Sequence, residues 1–243
     1  MKLSIVVPCY NEAKNIPIVL ERFAAVITEP DVELICVNNG STDDTATVLS
    51  QQLQDSRYQF ARGVTVPKNI GYGHGIMAGL HAAQGEVLAW THADLQTDPA
   101  DVIKAYHQFI ALNRQDVIIK GKRLNRSFGQ WGFTFGMSVI ASVVLGKVLY
   151  DINAQPKLFH RSLLAQLPNP PDDFSLDLYL LYLANVLGYS TETIAVRFAQ
   201  RQHGESKWAF SFKSRYKTVL RTIKYIFALR RRYANFHPSS QSS

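Results

Sequence analysis

The chain has 243 residues, of which 47% are hydrophobic, and a formal net charge of +7 at pH 7. This length and composition exclude a disordered chain and favour one large α/β domain, alone or with an appendage, because such a chain can bury a sizeable core. The two cysteines, Cys9 and Cys36, lie in apolar runs, so we expect buried reduced thiols rather than a disulfide.

The first half of the chain alternates strand-like and helix-like segments. Its apolar start, LSIVVPCY, is too short for the hydrophobic region of a signal peptide and is predicted to be the first strand. Further strands are predicted at VELICVN, FARGVTV, EVLAWTH and DVIIKGKR, with helices from about Ala13 to Ile27, from Ser41, through GIMAGLHAAQ and after Pro99. The alternation predicts a mostly parallel sheet with helices on both faces, whose ligands bind at the carboxyl ends of the strands.

The second half changes character. Residues 127–150 are apolar with interspersed glycines, and residues 133–150 are interrupted too often to be expected to cross a bilayer. A strand running into a helix is predicted at PKLFHRSLL, a helix ending at Gly188 in FSLDLYLLYLANVLGY, and a strand at TETIAVRF. The Ser-rich tail, residues 234–243, is expected to be disordered.

Ten basic residues and one acid lie between Arg201 and Arg232. This charge favours an anionic partner such as nucleic acid, a phosphorylated ligand or acidic lipid, although no recognised nucleic-acid-binding motif accompanies it. Apolar residues recur there every three or four positions and predict a basic amphipathic helix. Such a helix suits a membrane interface, but the same pattern fits a surface helix packed on the protein's own core.

A candidate metal site follows the fourth predicted strand, in WTHADLQTDP. Asp94 and the side-chain oxygen of Gln96 are hard ligands of the kind that Mg²⁺ or Mn²⁺ takes, with phosphate oxygens and water completing the shell. Asp98, directly before Pro99, is predicted to be the N-cap of the next helix instead. A single D-x-Q pair is a weak metal signal unless other motifs accompany it.

Several motifs occur in a fixed order: VVPCYNE, VNNGSTDDT, NIGYGHGIMAGLHAAQGEVLAWTHADLQ, GKR and FAQRQHGESKW. Together they resemble the inverting family 2 glycosyltransferases of GT-A fold, and most closely the synthases of dolichyl- or polyprenyl-phosphate mannose and glucose. The resemblance covers about residues 3–208. It implies a GT-A catalytic domain at 1–208 with apolar interface helices inserted at 127–150, followed by a basic membrane-interface helix at 209–233.

The resemblance implies a nucleotide-sugar site at the strand ends. It assigns to that site Pro8, Tyr10, Glu12, Asn38, Asn39, Gly71, His92 and Asp94. The family usually has a pair of acids where this chain has Asn38 and Asn39. An asparagine oxygen still accepts from an imino N–H of uracil or guanine, whereas its NH₂ donates to cytosine, so the identity of the base stays open.

The family's metal motif is usually D-x-D-x-Q, and His92 replaces its first aspartate. The resemblance therefore implies that Asp94 and Gln96 hold the Mg²⁺ or Mn²⁺ cofactor. Three readings of His92 stay open: a further ligand, for which Mn²⁺ suits imidazole better than Mg²⁺, a donor to a diphosphate or sugar oxygen, or a structural residue.

Basic residues in the matching motifs imply an acceptor-phosphate site made of Arg123, Arg201, Ser206 and Lys207. The catalytic residues implied are Asp94, Asp177, Arg123 and Arg201. Asp177 matches the family's acid near the donor sugar, but it also fits an ordinary acid in the first turn of a helix. A phosphate monoester is ionised near neutral pH, so its attack on a sugar needs little help from a base.

The sequence thus predicts an enzyme that moves a hexose, with inversion, from a nucleotide-diphosphate sugar to a polyprenyl phosphate. We expect it to lie peripherally on the cytoplasmic face of a membrane with an anionic surface, and to bind no nucleic acid. Two alternatives stay open. One is a glycosyltransferase acting on a saccharide of the cell surface, with Asp177 as base; the other is an inactive homologue, since three usual acids are replaced.

Overall fold

The computed structural model describes residues 2–124, 128–199 and 212–233. The strands in these residues are β1 (Leu3–Cys9), β2 (Val32–Asn39), β3 (Ala61–Val66), β4 (Val87–Trp90), β5 (Val117–Arg123), β6 (Lys157–His160) and β7 (Ser190–Val196). The helices are α1 (Ile16–Ala24), α2 (Thr45–Gln52), α3 (Tyr72–Ala82), α4 (Pro99–Leu112), α5 (Phe128–Leu145), α6 (Arg161–Leu164), α7 (Leu176–Val186) and α8 (Phe212–Tyr233). The predicted disordered tail at 234–243 lies outside the described residues.

The strands form one sheet in the order β3-β2-β1-β4-β6-β5-β7. Neighbours are parallel except for β6, which runs antiparallel to both β4 and β5. The predicted α/β architecture with a mostly parallel sheet is therefore confirmed. The central strands are buried on both faces, as their nearly continuous apolar sequences require.

Helices cover both faces of the sheet, and alternate side chains of each strand feed two cores. In β1, Leu3, Ile5 and Val7 pack with α1 and α4, whereas Val6 points to the other face and packs with α3 and α7. The thiols of Cys9 and Cys36 are buried and free, as predicted. The sheet is thus a rigid base that fixes the positions of its strand ends.

Helices α5 and α8 pack on each other on the α3 side of the sheet. In the predicted interface segment at 127–150, the described residues begin with α5, and Gly146 (φ +66°) takes a left-handed conformation directly after this helix. On α8, Ile226, Leu229 and Tyr233 are buried in the common core. The inner side of α8 is therefore packed on the protein itself. In the described part of the chain, no helix has the length and apolarity needed to cross a membrane.

Asp98 is the N-cap of α4, with Pro99 next to it, as predicted. Its Oδ1 accepts a hydrogen bond of 3.0 Å from the backbone N–H of Ala100. We expect Asp98→Ala to lower the free energy of unfolding by about 1 kcal/mol, measured by urea denaturation, because this N–H loses its partner. Asp44→Ala is the control, since Asp44 holds the same place before α2 without a side-chain capping bond; an equal loss in both variants would contradict the capping role.

Candidate active site

Three predicted polar clusters meet at the carboxyl ends of β1, β2 and β4. The parallel register places Cys9 opposite Asn38 and Val6 opposite Trp90, so the residues that follow β1 and β4 leave the sheet beside the end of β2. The start of α3, at Gly71, lies at the same edge, because its carbonyl accepts a 2.9 Å hydrogen bond from Asn39 Nδ2. The fold therefore assembles the predicted nucleotide residues from distant parts of the chain.

The turns after β1 and β2 are bonded into one unit. Asn11 adopts a left-handed conformation (φ 58°), and its backbone N–H donates to Ser41 Oγ over 3.1 Å. The N–H of Glu12 donates to Thr45 Oγ1 over 2.8 Å. Pro8 has no backbone N–H to donate, but it pairs in register with Val37 of β2. These bonds fix the segment that carries Pro8, Tyr10 and Glu12 before any ligand arrives.

Asn38 and Asn39 are buried and hold the protein's own backbone. Asn38 Oδ1 accepts from the N–H of Ser41 over 3.2 Å, and Asn39 spans to Gly71. Asn39 also packs tightly on α3, because a Cβ at Gly75 would lie 2.6 Å from its Cγ. Both carboxamides therefore support the site architecture, and their direct contact with a base stays a prediction.

The loop before α7 closes over the start of α3. A Cβ added at Gly71 would lie 2.2 Å from the carbonyl oxygen of Asp172, and one at Gly73 would lie 2.2 Å from that of Pro171. The His74 N–H donates to the Asp172 carbonyl over 3.0 Å. These two glycines thus permit close approach of another part of the chain.

The turn after β4 presents Asp94. Leu95 is left-handed (φ 61°), and this tight turn lets Asp94 Oδ1 accept from the N–H of Gln96 over 3.2 Å. Gln96 is anchored on its other side by its Nε2, which donates to the carbonyl of Ala199 over 3.2 Å. The Gln96 oxygen therefore lies on the side of the amide away from Ala199, and Asp94 is only 5% exposed.

His92 lies in a stack of three aromatic rings. The Tyr72 ring is 5.7 Å from the His92 ring at 29°, and 4.8 Å from the Phe174 ring at 15°. Burial lowers the pKa of His92, which outweighs the opposite effect of the Asp94 and Asp177 carboxylates. His92 is therefore a neutral imidazole near pH 7, able to donate one hydrogen bond or to bind a metal through one nitrogen.

A buried ion pair, Lys157 with Asp177, lies behind these rings. The Lys157 side chain is 0% exposed and that of Asp177 3%, and Gln155 Nε2 donates to Asp177 Oδ1 over 3.0 Å. Burial lowers the pKa of Lys157, and the Asp177 charge opposes this. The sequence prediction missed Lys157 and Gln155; a lysine inside the predicted strand PKLFHRSLL was the available signal, since a lysine is almost never buried alone.

Arg123 ends β5 in a defined orientation. Its backbone N–H donates to Asp151 Oδ2 over 2.8 Å, and its Nε lies 3.4 Å from Asp151 Oδ1, an ion-pair distance without hydrogen-bond alignment. Its guanidinium carbon is 4.8 Å from the Phe198 ring centre. Burial lowers the pKa of Arg123, although an arginine remains charged at neutral pH. The other predicted acceptor residues, Arg201, Ser206 and Lys207, lie outside the described residues.

A cavity of about 470 Å³ opens beside the aromatic stack. It is lined by Ile70, Gly71, Tyr72, Pro171, Asp172, Asp173, Phe174 and Arg221. Arg221 reaches it from α8 and pairs with Asp173 at 2.5 Å. The cavity thus lies between α8, the loop before α7 and the stacked rings of Tyr72 and Phe174.

The donor set suits a cation that is completed by a substrate. Among the described residues, no group of three or more His, Cys, Asp and Glu could hold a metal ion by itself. Asp94 and Gln96 instead supply a carboxylate and an amide oxygen from one turn. Mg²⁺ and Mn²⁺ are commonly held by one or two such ligands plus phosphate oxygens, so the residues fit that kind of ion.

The chain matches the family described as "Glycosyl transferase family 2" over residues 4–167. The chain belongs to glycosyltransferase family 2. Its relatives include the undecaprenyl-phosphate 4-deoxy-4-formamido-L-arabinose transferases of Pseudomonas savastanoi pv. phaseolicola and Yersinia enterocolitica, with identities of 27% and 26%. The matches cover 85% and 86% of this chain, but the chain spans only 60% and 63% of those proteins.

Solved structures of other enzymes share the fold. Glucosyl-3-phosphoglycerate synthase from Mycobacterium tuberculosis, in complex with Mn²⁺, UDP and glucosyl-3-phosphoglycerate, superposes with a TM-score of 0.69 at 19% identity. That match covers 98% of this chain and 81% of the synthase. A mannosyltransferase from Pyrobaculum calidifontis, in complex with GDP-mannose and Mn²⁺, gives 0.65 at 20% identity, covering 94% and 68% of the two chains. This family 2 chain therefore has the predicted GT-A fold.

Proposed function

We propose that this protein transfers a sugar from a nucleoside-diphosphate donor to a polyprenyl phosphate, with inversion at the anomeric carbon. Family membership supports the glycosyl transfer, and the names of the 26–27% identical relatives support the lipid phosphate as acceptor. The donor nucleotide would lie at the joined turns after β1 and β2. Its diphosphate would lie toward Asp94, at the end of β4.

The observation that carries the choice of acceptor is the buried Asp177–Lys157 pair. A sugar hydroxyl must lose a proton as it attacks, and the transferase then needs a carboxylate base that can reach it. Asp177 is the predicted candidate for that base, but its Oδ1 is engaged by Lys157 and Gln155. A phosphate acceptor is already ionised and needs no base, so it suits a site in which this acid is an anchor.

The reaction then depends on charge and alignment. An ionised oxygen of the acceptor phosphate attacks the anomeric carbon, and the bond from this carbon to the diphosphate breaks, leaving its electron pair on the diphosphate. No proton moves. Arg123, held by Asp151, would align the incoming phosphate. A divalent cation held by Asp94 and Gln96 would neutralise charge on the leaving diphosphate.

The test is donor turnover by the purified protein. UDP-, GDP- and CDP-linked sugars are supplied with Mn²⁺ or Mg²⁺, with and without a short polyprenyl phosphate, and released nucleotide and extracted glycolipid are measured. Metal-dependent formation of glycolipid is the expected result. Nucleotide release that requires a saccharide instead would establish the alternative acceptor, and absence of donor binding across the panel would establish an inactive homologue.

We also propose that the outer surface of α5 and α8 contacts an anionic membrane. Apolar residues stay in solvent nearby: Val143 of α5 is 74% exposed, Val148 in the loop after α5 85%, and Phe227 of α8 55%. Lys224 and Arg230–Arg232 are exposed on the same helix as Phe227. Apolar side chains flanked by cations suit a headgroup region that contains acidic lipid. A peripheral place on the cytoplasmic face follows if the donor comes from that side.

Neutralising two cations of α8 is expected to weaken this contact. For Lys224→Gln with Arg231→Gln, binding to vesicles containing phosphatidylglycerol should fall about 30-fold at low salt, since each cation contributes about 1 kcal/mol near such a surface. Vesicle flotation measures it. Lys14→Gln with Lys104→Gln makes the same charge change at exposed positions near α1 and on α4, on the opposite face of the sheet; equal weakening there would contradict a specific surface.

A further inference from the structure

Gln155 carries an unusual buried oxygen. The residue is 2% exposed, and its Oε1 has no hydrogen-bond partner among the described residues. Its Nε2 is well used, donating to Asp177 Oδ1 over 3.0 Å and to the Tyr72 hydroxyl over 3.3 Å. A buried acceptor without a donor is costly, so such an atom in an enzyme site is a place where a ligand atom is expected.

The orientation of this amide is fixed by its neighbours. A carboxylate only accepts hydrogen bonds, so the nitrogen of Gln155, and not its oxygen, must face Asp177. Lys157 Nζ pairs with Asp177 Oδ1 in the interior. Turning the amide over would place two oxygens against each other. The Lys157–Asp177 pair therefore directs Oε1 away from itself.

Gln155 lies beside the proposed donor site. In the antiparallel pairing of β4 with β6, Val87 is opposite His160 and Trp90 is opposite Lys157. Gln155 lies two residues before Lys157, at the edge of the sheet where β4 ends. The Tyr72 hydroxyl that accepts from Gln155 belongs to the ring stacked on His92. The Gln155 side chain is thus linked through Tyr72 to the aromatic stack that contains His92.

The chemistry of the missing partner points to the sugar. Oε1 requires a hydrogen-bond donor, which the ionised oxygens of a diphosphate or of an acceptor phosphate are not. The sugar ring is the part of a nucleotide sugar that brings hydroxyl donors to this end of the site. We propose that Gln155 Oε1 accepts a hydrogen bond from one hydroxyl of the transferred sugar and so determines which sugar is used.

This inference rests on the proposed function. It also requires a movement, because Oε1 is out of contact with solvent. Tyr72 covers this region together with Phe174, whose side chain is 61% exposed at the outer end of the ring stack. Phe174 has little packing to lose, so the sugar would enter by displacing the outer ring. A buried water is the other donor that could satisfy Oε1, and the experiment distinguishes this water from a sugar hydroxyl.

The experiment compares binding of a nucleotide with that of its sugar derivative by titration calorimetry. UDP is paired with UDP-glucose and GDP with GDP-mannose, in the presence of Mn²⁺. In Gln155→Met, which keeps the chain length without hydrogen-bonding groups, the Kd of the nucleotide should stay within about twofold of wild type. The Kd of the nucleotide sugar should rise about tenfold, the effect of one neutral hydrogen bond. Gln166→Met, at an exposed glutamine of the same sheet face, should change neither.

The substrate supplies a second test, the first part of which uses only the wild-type protein. Nucleotide sugars that lack one hydroxyl of the sugar are titrated into the wild-type protein, and one of them should bind about tenfold more weakly than the parent nucleotide sugar. That same derivative should bind Gln155→Met as tightly as it binds wild type, because the hydrogen bond is already missing. If every monodeoxy sugar binds wild type like the parent, or if Gln155→Met loses nucleotide and nucleotide sugar equally, the inference is wrong and a water or structural role remains. If wild type binds none of the nucleotides or nucleotide sugars and forms no glycolipid, the proposed function itself fails.

Discussion

Replacing Asp94 by alanine is expected to lower sugar transfer by about 10³-fold, the scale of losing a preorganised charge in a water-poor site. Asp94 is 5% exposed and stands at the end of β4. There it is the one carboxylate of the D-x-Q pair proposed to hold the cation. Without it, charge that develops on the leaving diphosphate is stabilised less than in the wild type. Initial rates of nucleotide release with Mn²⁺ measure the effect.

The control for Asp94→Ala lies four residues along the chain. Asp98→Ala makes the same chemical change in the same loop, but Asp98 caps α4, so this variant should transfer sugar at nearly the wild-type rate. Calorimetric titration with Mn²⁺ in the presence of nucleotide adds a readout that does not depend on turnover, and Asp94→Ala should lose that binding. A rate within tenfold of wild type would contradict the assignment of Asp94 to the cation that stabilises the leaving diphosphate.

Local sequence patterns were sufficient to predict the α/β architecture of this protein. Continuous apolar runs such as LSIVVPC belong to strands buried on both faces, and the D-P-A-D segment specifies the start of α4 through a cap and a proline. The position of Asp94 follows from the same reasoning, because the end of a strand in a parallel sheet is where ligands bind. Helix ends were predicted less well: α1 runs from Ile16 to Ala24, several residues short of each predicted bound.

Residues brought together by long-range packing could not be predicted. The short strand β6 was expected, but no local signal says that it inserts antiparallel between β4 and β5. That insertion is what places Lys157 opposite Trp90, with Gln155 at the edge where β4 ends. The stack of Phe174 on Tyr72 likewise joins the loop before α7 to the start of α3, about a hundred residues away in the chain. Asn38 and Asn39, which end β2, were predicted to contact the base, yet the hydrogen bonds of their side chains go to backbone groups of the protein itself.

The largest stability effect is expected at Lys157. Lys157→Met should lower the free energy of unfolding by about 3 to 5 kcal/mol, because it leaves the Asp177 carboxylate buried without its cation. Lys157 is fully buried and also donates to the carbonyl of Ala154 over 3.2 Å, so no solvent screens the pair. Urea denaturation at neutral pH measures the loss. Arg57→Met, which breaks an exposed ion pair with Asp55, should leave the urea midpoint nearly unchanged.

The double variant tests whether Asp177 is an ion-pair anchor or a catalytic base. In Lys157→Met with Asp177→Leu, both charges are replaced by apolar groups, and we expect much of the stability lost in the single variant to return. If Lys157→Met alone costs less than about 1 kcal/mol, this lysine does not anchor the Asp177 carboxylate, which would then be available to take up a proton. The base required for a hydroxyl acceptor would then be present, and a phosphate acceptor would no longer be favoured over a hydroxyl. A large loss of stability in Lys157→Met that Asp177→Leu restores would identify Asp177 as an anchor rather than a base. The acceptor must then supply its own negative charge, as a phosphate does.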